Sequence, residues 1–125
     1  MTVEYLQLED LLQLAVDLGD LVVRDLGLLE AAAQRPQTTL YGQDAYSSIH
    51  EKAAVLLESL SRNHALVDGN KRIAWLAALV FYDLNGLALE APEDPAYDLV
   101  VAISTGAIGY TEAARSLSEW VVARS

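Results

Sequence analysis

The sequence predicts an all-α fold in a single domain that spans residues 1–125. Apolar residues recur at helical spacing through most of the chain, and no long stretch alternates between apolar and polar as a half-buried strand would. The run Ile73–Tyr82 is apolar on every side, which is typical of a helix buried all round. We therefore expect a helical bundle around one buried central helix.

The N-terminal third is expected to contain two helices and a flap. Helical spacing of apolar residues predicts a first helix over Leu8–Leu18, which Leu21–Val23 could extend past Gly19. A short second helix is expected over Leu26–Gln34, because Pro36 would stop it. The β-prone stretch Gln37–Gln43 then predicts an extended flap or a short hairpin.

The middle of the chain is expected to contain the two longest helices. Asp44 is a suitable N-cap for a helix that ends near Arg62, and a loop follows over Asn63–Gly69. The apolar stripe of this helix comprises Ile49, Ala53, Leu56, Leu57 and Leu60. The central helix is expected over Asn70–Asn85, where Gly86 suits a C-terminal stop.

Two helices are expected to complete the bundle. Pro95 suits a first helical position, so Asp94-Pro95 predicts the start of a helix that reaches about Ser104. Thr111 is expected to cap the last helix, which would run to about Ala123.

Composition narrows the classes of function. The formal net charge is −10, which disfavours nucleic-acid binding and an anionic membrane surface, because both need basic patches. The chain has no cysteine, which excludes disulfides and thiolate zinc sites. The N-terminus has no basic segment and no apolar core of a secretory signal, so a cytoplasmic location is expected.

The segment Asn63–Arg72 carries the strongest indication of chemistry. Only eight residues of the chain are Lys or Arg, yet three of them, Arg62, Lys71 and Arg72, lie in or next to this segment. His64, one of two histidines, precedes Asp68, Gly69 and Asn70 in the same segment. A base, a carboxylate, a glycine and cations at the start of an apolar helix are what a phosphate-handling site requires.

Each residue type suits a role in phosphate chemistry. The free N–H groups at the helix start attract an anion, Gly69 lets a phosphate approach, and Asn70 can cap the helix or donate from its amide. Lys71 and Arg72 oppose the helix dipole, at about 0.3–1 kcal/mol each, so an anionic partner is expected to offset them. Asp68 is a hard oxygen ligand for Mg²⁺, and His64 suits a general base.

Other conspicuous side chains are interpreted as structural. His50 lies in a predicted helix without a cluster of cations or a helix terminus nearby. Trp75 and Trp120 fall in helical stripes and are expected in the core, and packing is expected for Tyr41 and Tyr46 beside the flap.

The segment His64-Ala65-Leu66-Val67-Asp68-Gly69-Asn70-Lys71-Arg72 resembles the Fic/Doc motif, His-x-Phe-x-Asp/Glu-Gly-Asn-x-Arg. Lys71 stands where AMP-transferases of the family typically have glycine, which is similar to the Doc branch, the death-on-curing toxins. Leu66 replaces the motif phenylalanine and Ile73 a common threonine. Segments outside the motif also look like Doc, namely Arg24–Glu30, Ala33–Gln37, Tyr46, Glu51–Ala54 and Phe81–Gly86.

The resemblance implies a toxin that transfers the γ-phosphate of ATP to a threonine of elongation factor Tu and so halts translation. It implies His64 as the general base and Asp68 as the Mg²⁺ ligand. Phosphate contacts are implied for Gly69, Asn70, Lys71, Arg72 and, as a further contact, Arg62. The implied partner is an antitoxin whose C-terminal segment folds into a groove, and residues Gln37–Gly42 of the flap would hold a target segment.

Two alternatives stay open at this point. One is a Fic-type transferase that adds AMP to a protein hydroxyl with the same base and metal. The other is a catalytically silent binding protein on the same helical fold, which the intact His64 and Asp68 disfavour.

Overall fold

The computed structural model describes residues 2–124 as six helices and two small two-stranded antiparallel sheets. The helices are α1 (Leu8–Asp17), α2 (Leu26–Gln34), α3 (Ile49–Arg62), α4 (Asn70–Leu84), α5 (Glu93–Thr105) and α6 (Tyr110–Trp120), with a 3-10 turn at Arg35–Gln37. The strands are β1 (Thr39–Leu40), β2 (Gln43–Asp44), β3 (Leu87–Leu89) and β4 (Val121–Ala123). The predicted helical bundle is confirmed.

The most buried helix of the bundle is α3, which packs against α2, α4, α5 and α6. Ten of its 14 residues are buried, including Lys52 and Glu58. Helix α4 was expected in this central place because it is apolar all round. One face of α4 packs into the core through Ile73, Ala77 and Phe81, but Trp75, Leu76 and Leu79 are only half-buried.

Helix α1 ends earlier than the sequence suggests. Gly19 and Asp20 both have a positive φ, +114° and +55°, which breaks the helix after Asp17. The segment Leu21–Val23 is therefore not helical, and Val23 forms an isolated antiparallel bridge with Leu66. This bridge brings the chain after α1 to the loop between α3 and α4.

The flap forms a short hairpin, which is one of the two conformations that the sequence predicts. Strands β1 and β2 pair antiparallel with Thr39 opposite Asp44. Helix α2 has its predicted bounds, and Pro36 lies buried in the 3-10 turn that follows it.

Helix α3 starts at Ile49, so Asp44 is not its N-cap. Ser48 caps the helix, and its hydroxyl and the Glu51 carboxylate form a reciprocal capping box. The Asp44 carboxylate instead accepts a hydrogen bond from the buried ammonium of Lys52 at 3.0 Å, which ties the hairpin to α3.

The C-terminal elements also depart from expectation. Helix α5 begins at Glu93 after the N-cap Pro92, which places Pro95 third in the helix. Helix α6 begins at Tyr110 after Gly109 and ends at Trp120, so Thr111 is not the cap. Val121–Ala123 forms β4, because it finds pairing partners in β3 just after α4. Within residues 2–124, no helix is long and apolar enough to cross a membrane.

Candidate active site

The start of α4 is shaped by Gly69. Its φ of +85° is left-handed, and a Cβ built there would lie 2.6 Å from Cδ1 of Leu21. Glycine therefore suits the left-handed backbone turn, and any larger residue would also have to displace the Leu21 side chain. The first N–H groups of α4 have no partner within the helix, and they open toward the loop that precedes it.

The loop before α4 is held by the chain after α1. The backbone N–H groups of Arg24 and Asp25 donate to the Ala65 carbonyl at 2.7 and 3.0 Å, and the Val67 N–H donates to the Val22 carbonyl at 2.9 Å. The side chain of Asn70 also holds the loop through two hydrogen bonds to the backbone of Leu66. Its Oδ1 accepts from the Leu66 N–H and its Nδ2 donates to the Leu66 carbonyl, both at 3.0 Å.

Leu66 anchors the loop in the core. Its side chain is fully buried, with an exposed fraction of 1%. Leucine thus fills the position of the motif phenylalanine without exposing the loop to solvent. The side chain of His64, two residues earlier, is exposed.

These constraints bring most of the predicted site residues into one cleft of about 350 Å³. The cleft is lined by His64, Asp68, Gly69, Asn70, Lys71 and Arg72, together with Ser61 and Val67. His64, Asp68, Lys71 and Arg72 are solvent-exposed and thus accessible to a ligand. The base, the carboxylate, the cations and the helix N-terminus share one opening.

Residues 3–82 match the model of the Fic/DOC family, a span that includes the cleft and α1 through most of α4. The chain belongs to the Fic/Doc family. It is also 54% identical over 107 residues to a protein named Toxin Doc from Mycolicibacterium smegmatis, and the match covers 82% of each chain.

Arg62 does not join the Fic/Doc cleft, which corrects its expected role as a phosphate contact. Its Nε and Nη2 donate to the carbonyls of Ile103 and Ile108 at 2.6 and 2.7 Å, and Nη1 pairs with Glu58 at 3.4 Å. The guanidinium therefore ties the end of α3 to the α5–α6 corner. Asn70 lines the cleft, but its side-chain amide is occupied by Leu66, so its backbone N–H, at the first position of the helix, is the group left for a ligand.

Asp68 has the geometry of a carboxylate that can hold a metal with help from a substrate. One oxygen, Oδ1, accepts the Gly69 N–H at 2.8 Å, which orients the side chain and leaves Oδ2 for a ligand. In the part of the chain that the structure describes, no three His, Asp or Glu side chains cluster as a metal site. A single carboxylate suits Mg²⁺, which usually takes its other ligands from phosphates and water.

An apolar groove of about 650 Å³ lies next to the cleft, between α4 and α5. Its walls include Trp75, Leu76, Leu79 and Val100, and Lys71 and Arg72 line both the groove and the cleft. Trp75 was expected in the core and instead forms part of this wall. Trp120 is likewise only half-buried.

Of the other histidine and the two tyrosines that were expected to be structural, two pack as expected and one does not. His50 is structural, as expected, since its Nδ1 lies 2.9 Å from the Tyr82 hydroxyl inside the bundle. Tyr46 packs edge-on against Tyr110 and its hydroxyl accepts from Arg35. Tyr41 does not pack; it stands fully exposed at the tip of the hairpin.

Arg24 lies outside the motif and was not among the predicted site residues. Its guanidinium donates through Nε and Nη2 to the His64 carbonyl at 2.9 and 2.5 Å. The available signal was that Arg24 opens a segment that resembles Doc outside the motif, in a chain with few basic residues.

Proposed function

We propose that this Fic/Doc protein is the toxin of a toxin–antitoxin module. We further propose that it is a protein kinase that transfers the γ-phosphate of ATP to a threonine or serine hydroxyl of a translation factor, such as elongation factor Tu. The observation that carries the proposal is the single cleft that joins His64, Asp68, Lys71 and Arg72 at the N-terminus of α4. The relative named Toxin Doc supports the toxin assignment.

The residues of the cleft can divide the work of the transfer. The His64 imidazole takes the proton from the attacking hydroxyl, whose oxygen bonds to the γ-phosphorus as the bond to the β-phosphate oxygen breaks. Lys71, Arg72 and the N–H groups of α4 bind the phosphates and stabilise the charge of the leaving ADP. Asp68 would hold Mg²⁺, which neutralises phosphate charge when it is bound.

The hairpin and the groove suit two different protein partners. The exposed residues Leu40 and Tyr41 of the hairpin offer apolar and backbone contacts for an extended target segment. The apolar groove between α4 and α5 suits the C-terminal segment of an antitoxin, laid with its apolar face on Trp75 and Leu79. Since Lys71 and Arg72 line its edge, an acidic residue of that segment would pair with them and block the cleft.

Lys71 favours phosphate transfer over AMP transfer. It is exposed in the first turn of α4, where its side chain adds a cation and bulk that glycine would not. AMP transfer requires the α-phosphate of ATP to face the nucleophile. The phosphates of ATP would then lie closer to the backbone at residue 71. The Fic-type transferase and the silent binding protein remain the alternatives that an experiment must separate.

The experiment uses ATP labelled at the α- or the γ-phosphate, incubated with the purified protein and a bacterial lysate. Protein-bound label from the γ position supports the kinase, and label from the α position identifies an AMP-transferase. No label from either position identifies a silent protein. The His64→Ala variant is the control for contaminating kinases in the lysate.

A further inference from the structure

His64 has an unusual backbone conformation for the proposed general base. Its φ of +53° lies in the left-handed region, which residues other than glycine adopt seldom and only where neighbouring groups hold them there. The side chain is exposed, so core packing of the imidazole does not supply this hold. Backbone contacts on either side of His64 must supply it.

Arg24 makes the contact at the His64 peptide itself. Two nitrogens of its planar guanidinium, Nε and Nη2, converge on the His64 carbonyl oxygen at 2.9 and 2.5 Å. Hydrogen bonds from an ionised donor are stronger than neutral ones, and the rigid fork of arginine fixes the direction of the acceptor. Within residues 2–124, Arg24 has no carboxylate partner, so this carbonyl is its principal contact.

Arg24 is itself anchored to the same loop. Its backbone N–H donates to the carbonyl of Ala65 at 2.7 Å, one residue after His64. The side chain of Arg24 therefore donates to the His64 carbonyl, and its backbone N–H donates to the next carbonyl, that of Ala65. These hydrogen bonds restrain rotation of the His64–Ala65 peptide and so fix the direction of the His64 Cα–Cβ bond.

We propose that Arg24 is a positioning residue for His64. It holds the histidine in its left-handed conformation and so aims the imidazole into the cleft, without contacting the nucleotide itself. The inference rests on the proposed transfer reaction and deepens it, because it assigns a role to a residue 40 positions before the general base.

The test compares Arg24→Ala and Arg24→Lys with the wild type, with Arg115→Ala as the matched control. Arg115 is an exposed arginine on α6, away from the cleft. A misaligned catalytic group can cost about 10²-fold in rate, so we expect kcat of Arg24→Ala to fall by that order. The KM for ATP should stay unchanged, since the phosphate contacts remain. Lysine keeps the charge but loses the fork, so Arg24→Lys should recover part of the rate.

Two further comparisons separate positioning from a general loss of structure. In an Arg24→Ala/His64→Ala double variant, the rate should equal that of His64→Ala, because Arg24 acts through His64. Hydrogen exchange at the Leu66 and Val67 amides should speed up in Arg24→Ala, while exchange in the middle of α3 stays at the wild-type rate.

The outcomes are distinct for the inference and for the proposed function. Unchanged kcat and unchanged exchange at Leu66 and Val67 in both Arg24 variants would overturn the inference. A raised KM with unchanged kcat would also overturn it, since it would make Arg24 a nucleotide contact. If the wild type transfers no phosphate, the proposed function fails, and the exchange comparison still decides whether Arg24 orders His64. If Arg24→Ala does not fold, Arg24→Lys serves for every comparison.

Discussion

At the residue scale, the site depends on a short loop that several hydrogen bonds hold in place. Arg24 holds the His64 carbonyl, Asn70 holds both backbone groups of Leu66, and Asp68 accepts the Gly69 N–H. A loop constrained in this way presents its exposed side chains with little conformational freedom. Pre-organisation of this kind is what proton transfer in a small cleft requires.

The His64→Ala variant should lose phosphate transfer and toxicity while it keeps its stability. Loss of a general base typically lowers the rate by about 10²–10⁴-fold. His64 is exposed, so its removal opens no cavity. The measurements are the transfer rate and the growth of cells that express equal amounts of each protein. The other histidine supplies the control, since His50→Gln should retain the activity; growth arrest by His64→Ala would refute the role of the base.

The Asp68→Asn variant should bind Mg²⁺ poorly without disturbing the loop. The asparagine Oδ1 still accepts the Gly69 N–H, but the charge that attracts the metal is gone. We expect a steep loss of transfer that higher Mg²⁺ concentration partly restores, measured as a Mg²⁺ titration of the rate. A Mg²⁺ dependence equal to that of the wild type would refute the metal role of Asp68.

The cleft residues that lie next to one another in the chain could be predicted from the sequence, whereas a residue that tertiary contacts bring to the loop could not. His64 and Asp68–Arg72 were recognisable because one loop and one helix start carry them all. Arg24 was not, because its contact with His64 depends on how the chain leaves α1. Arg62 was expected to contact phosphate because it is close to the motif in sequence. Sequence distance does not show which way its side chain points at the end of α3, and the guanidinium turns toward Ile103 and Ile108.

At the element scale, α4 begins where Gly69 allows it. The starts of α1 and α2 were also predicted correctly, whereas those of α3, α5 and α6 were not. Ser48, rather than Asp44, caps α3 because a capping box with Glu51 forms only from that position. The C-terminal turn of the last predicted helix became β4 because β3 offers an edge to pair with, a partner that no local pattern reveals.

Alanine at Gly69 should be more damaging than alanine at Gly86. Both glycines have a positive φ, +85° and +76°, so both substitutions carry a backbone cost of about 1–2 kcal/mol. At position 69 the new Cβ would collide with Leu21, whereas at position 86 it would meet no heavy atom within 4 Å. We expect Gly69→Ala to unfold at lower denaturant than Gly86→Ala and to lose transfer. Equal stability and activity of the two variants would show that the Leu21 contact yields freely.

At the scale of the whole molecule, the bundle is stabilised by apolar packing around α3 and by a few buried polar contacts. One of these joins α3 to α4 through His50 and Tyr82. Burial lowers the pKa of His50 and raises the pKa of Tyr82, so the contact joins a neutral imidazole to a protonated hydroxyl. Protonation of His50 would place a positive charge in this partly buried contact.

Stability should therefore fall as the pH drops below the ordinary pKa of histidine, about 6.5. In that range the unfolded chain takes up a proton on His50 before the folded chain does, which favours unfolding. The stabilisation is fully present above about pH 6.5 and is lost as the pH falls through the lower folded pKa. The measurement is the free energy of unfolding between about pH 7.5 and pH 5.5, in the wild type and in His50→Gln. The variant should show the shallower slope, and identical slopes would contradict the assignment.

We propose that the α4 cleft transfers the γ-phosphate of ATP to a protein hydroxyl, and that Lys71 favours this transfer over that of AMP. The most direct measurement is the intact mass of purified elongation factor Tu after incubation with ATP, Mg²⁺ and either the wild type or Lys71→Gly. The wild type should add the mass of one phosphate, and Lys71→Gly should lose this activity, with any residual product carrying one AMP. Addition of AMP by the wild type would contradict both the kinase assignment and the role of Lys71.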